Sequence, residues 1–166
     1  MRRFAALLLP LLVAGCGLHP LYSGGGSGAV ARTLQSVEVA PIPGRAGWFV
    51  RAALQDRLGA SDGGARYRLE VELDDDIAGY GIKRDNAITR ERRTLRARYR
   101  LVDAGVGTVV LDATAGSDAG IDVVSSEYAT MAAEQTALER LAKEIADQMV
   151  SRIAIYVTHT GGTGSP

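Results

Sequence analysis

Three stretches alternate apolar and polar residues with a period of two, and this constrains the chain more than any other feature. Tyr67-Arg68-Leu69-Glu70-Val71-Glu72-Leu73-Asp74 puts Tyr67, Leu69, Val71 and Leu73 on one side and only charged residues on the other. Thr94 to Val102 repeats the pattern, with Leu95, Ala97, Tyr99 and Leu101 against Arg96, Arg98 and Arg100. Asp103-Ala104-Gly105-Val106-Gly107 reads as a turn, and Thr108 to Ala115 as its hairpin partner with Val109, Leu111 and Ala113 inward. A strict period of two means half-buried strands. Three such strands in succession require something to cover one face.

Two amphipathic segments can do so. Gly47 to Leu58 carries Val50, Leu54 and Leu58 at four-residue spacing, with Gly59 as a C-terminal stop and Trp48 and Phe49 as core or rim packing. From a cap at Ser125 or Ser126, a long helix runs to about Val157. Its stripe is Tyr128, Met131, Leu138, Ala142, Ile145, Met149, Ile153 and Tyr156. Thirty residues at 1.5 Å rise give ~45 Å. The stripe is one-sided, so this is not a membrane span. Ser36 to Ala40 adds a first strand, stopped by Pro41 and Pro43. Ile77 to Ile88, with Gly79 and Gly81, reads as a loop, and Gly116 to Val124 as a polar connection. The expected fold is α+β: a two-layer sandwich, two helices packed on one face of a four-stranded sheet, the other face polar and open.

The N-terminus is an address. Met1-Arg2-Arg3 is a positive n-region, and Phe4 to Val13 an apolar run too short for a membrane span of ~20 residues. Val13-Ala14-Gly15-Cys16 resembles the bacterial lipobox, and Cys16 is the only cysteine. Its thiol would take the lipid and its freed amine a further acyl chain; two or three chains make a lasting anchor where one does not. Gly17 follows, where the inner-membrane retention signal of enteric lipoproteins has aspartate, so this resemblance favours the outer membrane. The expected organisation is a signal peptide over 1–15, a lipidated anchor and flexible tether over 16–35, a domain over 36–157 and a disordered tail over 158–166.

Catalytic chemistry has little to work with. His19 lies beside the anchor and His159 in the tail, neither with ligand spacing. No serine sits in a nucleophile elbow, and there is no phosphate loop or dinucleotide fingerprint. Asp74-Asp75-Asp76 lacks the spaced ligands and glycine of a calcium loop and reads as a solvated strand end. No catalytic residue, metal or cofactor is therefore expected. Nineteen basic residues balance nineteen acidic ones, so net charge argues for no polyanionic partner, and nucleic acid is not expected for an exported lipoprotein.

The distribution of charge is more telling. Lys83, Arg84, Arg90, Arg92, Arg93, Arg96, Arg98 and Arg100 lie within eighteen residues, against Asp85 and Glu91. Arg96, Arg98 and Arg100 should find Glu70, Glu72 and Asp74 across the strands. Lys83, Arg84 and Arg90, near the loop, have fewer acidic neighbours and are the candidates for an anionic ligand such as a glycolipid phosphate.

Cys16 to Tyr22 (CGLHPLY) after the lipobox, Thr94 to Asp103 (TLRARYRLVD) and Tyr128 to Val157 together resemble the LPS-assembly lipoprotein family LptE in its alphaproteobacterial form. The likeness covers nearly the whole mature chain. It implies a non-enzymatic protein that plugs and helps assemble the outer-membrane β-barrel LptD, and that binds lipopolysaccharide as the pair inserts it into the outer leaflet. It also implies lipopolysaccharide contact near the loop between the second and third strands, where Lys83, Arg84 and then Arg90 are the nearest matches. The alternatives are an auxiliary lipoprotein of an ABC-type lipid transporter and a cell-wall synthase activator.

Overall fold

The computed structural model describes residues 29–59, 64–82 and 88–161. The signal peptide, Cys16, His19, most of the tether and the end of the tail lie outside them, as do Lys83 and Arg84. Seven elements follow in order: α1 (Ala29–Gln35), β1 (Val37–Val39), α2 (Gly44–Leu58), β2 (Tyr67–Ile82), β3 (Ile88–Asp103), β4 (Val109–Asp122) and α3 (Glu127–Gly161). The sheet order is β1-β2-β3-β4. β1 runs parallel to β2, joined by the α2 crossover, and β2, β3 and β4 form an antiparallel meander.

The period-two pattern sets the core. Tyr67, Leu69, Val71, Leu95, Ala97, Tyr99 and Leu101 are buried on one face, under Val50, Leu54 and Leu58 of α2 and Leu138, Leu141, Ile145, Met149 and Ile153 of α3. α3 packs on β3 and β4; α2 packs on β1 and β2. The result is the expected two-layer α+β sandwich, with α1 as a third helix against α3. The sequence reading carries 29–35 in the tether. In the structure this stretch is helical, and Leu34 is buried in the core.

Charge and geometry hold the helix layer in register. Arg45 Nη2 donates to Gln135 Oε1 at 2.6 Å, and Arg57 meets Asp147 through two hydrogen bonds, one of 2.9 Å from Nη2. Both contacts join residues ninety apart, so α2 and α3 lie parallel over about 18 Å, twelve residues at 1.5 Å rise. α2 can enter directly after Pro43 because Gly47 lies against the Ile42 carbonyl. A Cβ there would come within 2.5 Å of that oxygen. Ser126 caps α3 as expected, its Oγ accepting from Ala129 N at 3.4 Å.

The structure corrects several boundaries. The expected loop over 77–88 is mostly strand: β2 runs on to Ile82, which pairs with Ile88, and Gly79 lies in the ladder opposite Glu91. Gly81, at φ 77, is where backbone freedom is used. The expected connection over 116–124 is the second half of β4. Both extensions alternate too, but with aspartate, glycine and serine, which carry little strand propensity. They form because each pairs along β3. Val109 was expected inward and is 51% exposed. A register shift pairs Leu101 with Leu111 but Val102 with Val109, so Val110 is an extra residue that turns Val109 to the other face. Tyr128 and Met131 are exposed rather than part of the core. They precede Gln135, the level at which α2 begins, so no second helix stands beside them. Trp48 is exposed, its ring edge-on to the half-buried Phe49 at 4.9 Å.

Arg57's hydrogen bonds hold the Asp147 carboxyl below its ordinary value of 3.8, and Asp147 raises Arg57 in turn. A depressed carboxylate contributes stability that is complete above the unfolded value and lost as pH falls through the folded one. Urea titrations of the domain between pH 7 and pH 2 should therefore show an acid loss that Asp147→Asn reduces by less than about 1 kcal/mol, since the carboxylate is largely solvated.

Candidate functional site

The face of the sheet away from the helices is a three-strand grid of charge. Reading β2, β3 and β4 across the ladder, the rows are Glu70–Arg100–Asp112, Glu72–Arg98–Thr114, Asp74–Arg96–Gly116, Asp76–Thr94–Asp118, Ala78–Arg92–Gly120 and Tyr80–Arg90–Asp122. The arginines occupy the central strand, with carboxylates on both sides.

Pairing differs in detail from the expectation. Arg100 meets Glu70 at 3.3 Å and Glu72 at 3.5 Å, as expected. Arg98 instead reaches to β4, where Nε and Nη2 donate to the two Asp112 oxygens at 3.3 and 2.9 Å. This bidentate pair holds Asp112 below and Arg98 above their ordinary values. Arg96 was expected to find a partner among Glu70, Glu72 and Asp74; among the described residues it forms no ion pair. Its β4 neighbour is Gly116, which offers no side chain. The resulting groove, about 610 Å³, is lined by Glu72, Asp74, Arg96, Arg98, Thr114 and Gly116.

Toward the tip of the β2–β3 hairpin, Arg92 stacks over the Tyr80 ring at 5.4 Å and lies 3.9 Å from Asp118. Arg90 is exposed, its Nε donating to Asp122 Oδ1 at 3.1 Å. Of the three candidate anion ligands, Arg90 is thus placed at the base of the hairpin tip, partnered by one solvated carboxylate. Lys83 and Arg84 lie outside the described residues, between Ile82 and Ile88. Thr89 Oγ1 donates to Gly81 O at 2.7 Å across the two strands.

Arg93 is the residue that a list of nearby cations conceals. It points to the helix side, 9% exposed, and donates to both Asp75 oxygens at 2.8 and 2.6 Å and to Glu134 O of α3 at 3.1 Å. The Asp74-Asp75-Asp76 run is therefore divided: Asp75 serves the core edge, and Asp74 and Asp76 face out. Continuing the alternation of β2 and β3 past Leu73 and Leu95 is the signal that would have found this. Among the described residues no group of three or more His, Cys, Asp or Glu could hold a metal. His159 is in the last turn of α3 and exposed.

Chemically, the open face offers charge-assisted hydrogen bonds, and its solvated pairs can be exchanged for a partner's charges at little cost. The part-buried Arg93–Asp75 pair exchanges less readily. A double-mutant cycle on Asp75 and Arg93 should give a clearly measurable coupling of about 1–3 kcal/mol, and one on the solvated Arg98 and Asp112 a smaller one. Equilibrium unfolding in urea checks both; equal couplings would contradict the difference in burial.

The sequence model of the family LptE, Lipopolysaccharide-assembly, matches residues 34–153. No curated protein matches the chain. Among solved structures, a candidate lipoprotein from Caulobacter crescentus is 26% identical with a TM-score of 0.68, covering 80% of this chain and 98% of its own. A minor lipoprotein from Acinetobacter baumannii (14% identical, TM-score 0.55, 72% and 88% covered) and lipoprotein B from Nitrosomonas europaea (12%, 0.56, 76% and 84%) share the fold.

Proposed function

Because the chain belongs to the LptE family of lipopolysaccharide-assembly proteins, we propose that it is an outer-membrane lipoprotein, anchored through Cys16, that plugs an LptD-like β-barrel. It helps to assemble that barrel and takes part in carrying lipopolysaccharide to the outer leaflet, binding it through Lys83, Arg84 and Arg90. The role is non-enzymatic.

The observation that carries this reading is the open sheet face. A large outer-membrane barrel has a polar interior. A sandwich whose free face is an array of arginine–carboxylate pairs can lie against such a wall without burying unpaired charge. The geometry of the two ends supports the rest. The chain enters at the end where Val37, Tyr67 and Asp103 align. β2 ends at Ile82, fifteen residues along, roughly 50 Å away at ~3.3 Å per residue. Arg90, the described member of the basic set, lies toward that far end of the sheet. Arginine and lysine suit the phosphates of a glycolipid.

A tagged copy purified from detergent-extracted envelopes should bring down a large outer-membrane barrel in near one-to-one amount; transporter components, or no barrel, would overturn the plug reading. On the same preparation, Lys83→Glu with Arg84→Glu should weaken lipopolysaccharide binding by at least about tenfold, the loss of one charge-assisted contact. The unfolding midpoint should be unchanged. Unaltered affinity would remove the tip from the site.

A further inference from the structure

The end of the domain from which the chain leads back to Cys16 presents apolar and basic side chains together. Ala29, the first residue of α1, begins the described chain there. The turn between β3 and β4 stands at the same end, since Asp103 pairs with Tyr67 at the start of β2. Turns are built mostly from glycine, proline and small polar residues, yet this one carries Val106, 74% exposed. The turn holds it firmly. Asp103 Oδ1 accepts from Gly105 N at 2.9 Å and from Val106 N at 3.3 Å, and Gly107 N donates to Asp103 O at 2.8 Å. Just beyond, the bulge at Val110 turns Val109 outward, 51% exposed. Two cations stand at this end with the valines. Arg66 is exposed, its guanidinium 5.2 Å over the Tyr67 ring and its carbonyl accepting from Ala104 N of the turn at 2.9 Å. Arg32 of α1 is exposed as well, next to Thr33, which lines one pocket with Arg66 and Asp103. Among the described residues neither arginine forms an ion pair.

We propose that this end docks on the surface of the membrane that holds the anchor, Val106 and Val109 entering the headgroup layer and Arg32 and Arg66 meeting the phosphates of anionic lipid. The proposal rests on the reading of Cys16 as the lipidated residue. The length of chain outside the structure argues for this occupant. Cys16 is thirteen residues before Ala29, so the anchor lies at most about 45 Å from the start of α1. A bilayer surface is therefore within reach of this end of the sheet. Its chemistry matches what the end presents: apolar groups are accepted at the acyl boundary, and basic side chains are drawn to anionic headgroups. Acyl chains alone would hold the domain at the membrane without orienting it. The valines and arginines fix which end faces the bilayer, and the sheet then carries Arg90 away from it.

The test uses the full lipidated chain in vesicles of phosphatidylethanolamine and phosphatidylglycerol. Cys16 is the only cysteine and carries the lipid, so Val106→Cys or Val124→Cys supplies a single thiol for a nitrobenzoxadiazole label. Val124, 49% exposed, follows β4 at the far end of the sheet and is the control for the label itself. Emission from position 106 should be lost to spin-labelled lipid, and emission from position 124 retained. Arg32→Glu with Arg66→Glu should lower the ratio of docked to undocked chain at least about tenfold, since each basic side chain near an anionic surface accounts for about a fivefold factor. The unfolding midpoint is the control; where the double variant does not fold, Arg32→Glu alone decides. Equal loss at the two positions, or a loss at 106 that charge reversal leaves unchanged, overturns the docked end while the anchor stands. A purified chain whose mass shows no acyl group on Cys16 overturns the anchor reading and this proposal with it.

Discussion

The apolar stripe of α3 lying across β3 and β4 is the contact on which the rest of the domain depends. Leu138, Leu141, Ile145, Met149 and Ile153 are fully buried, and so are Leu95, Tyr99 and Leu101 beneath them. Burying a side chain of this size contributes about 1.5–3 kcal/mol. Without α3 the apolar face of the meander would stand in water, and covering it removes that cost. Once α3 covers β3 and β4, α2 needs only to close the remaining strip over β1 and β2, and its place is fixed by Arg45 and Arg57 against Gln135 and Asp147.

Covering one face leaves the other free to be polar, and the two faces divide the arginines between structure and surface. On the open side, pairs such as Arg98 with Asp112 and Arg90 with Asp122 are solvated. They add little to stability and keep a long exposed sheet from meeting another sheet face to face. On the helix side, Arg93 with Asp75 and the Glu134 carbonyl closes the apolar layer where α3 begins. The same residue type, two positions along one strand, thus performs opposite tasks. Only the strand's parity distinguishes them.

Arg96 and Arg51 show where such bookkeeping leaves something over. Arg96 faces a strand position occupied by glycine, and Arg51 of α2 lines a groove beside β1, its Nε buried with no partner. Among the described residues neither forms an ion pair, although Asp74 lies opposite Arg96 and Glu38 and Asp56 lie near Arg51. A protein that only needed to be stable would gain from pairing both. For a chain that belongs to a family of lipopolysaccharide-assembly proteins, unmet capacity at two places on the surface is what a subunit of a larger assembly is expected to carry.

By itself the sequence determined the fold class and its core. Alternation fixed the faces of Tyr67 to Leu73 and Leu95 to Leu101, and four-residue spacing fixed those of α2 and the middle of α3, because side-chain direction follows local backbone geometry. The sequence also located the basic cluster and, by resemblance, the family. Tertiary structure decided what depends on contact between distant segments. The strands run on through DDDIAGYGI and GSDAGID because each finds hydrogen-bond partners on β3, not because those residues favour extension. The bulge at Val110 reverses the facing of Val109, and a ladder irregularity has no local signature. Arg98 chooses Asp112 over Glu72, and Arg96, with Gly116 on the third strand, forms no ion pair among the described residues, since pairing depends on which side chains that strand brings within reach. The openings beside Arg96 and Arg51 are likewise properties of packing: a groove is the space that elements far apart in sequence fail to fill.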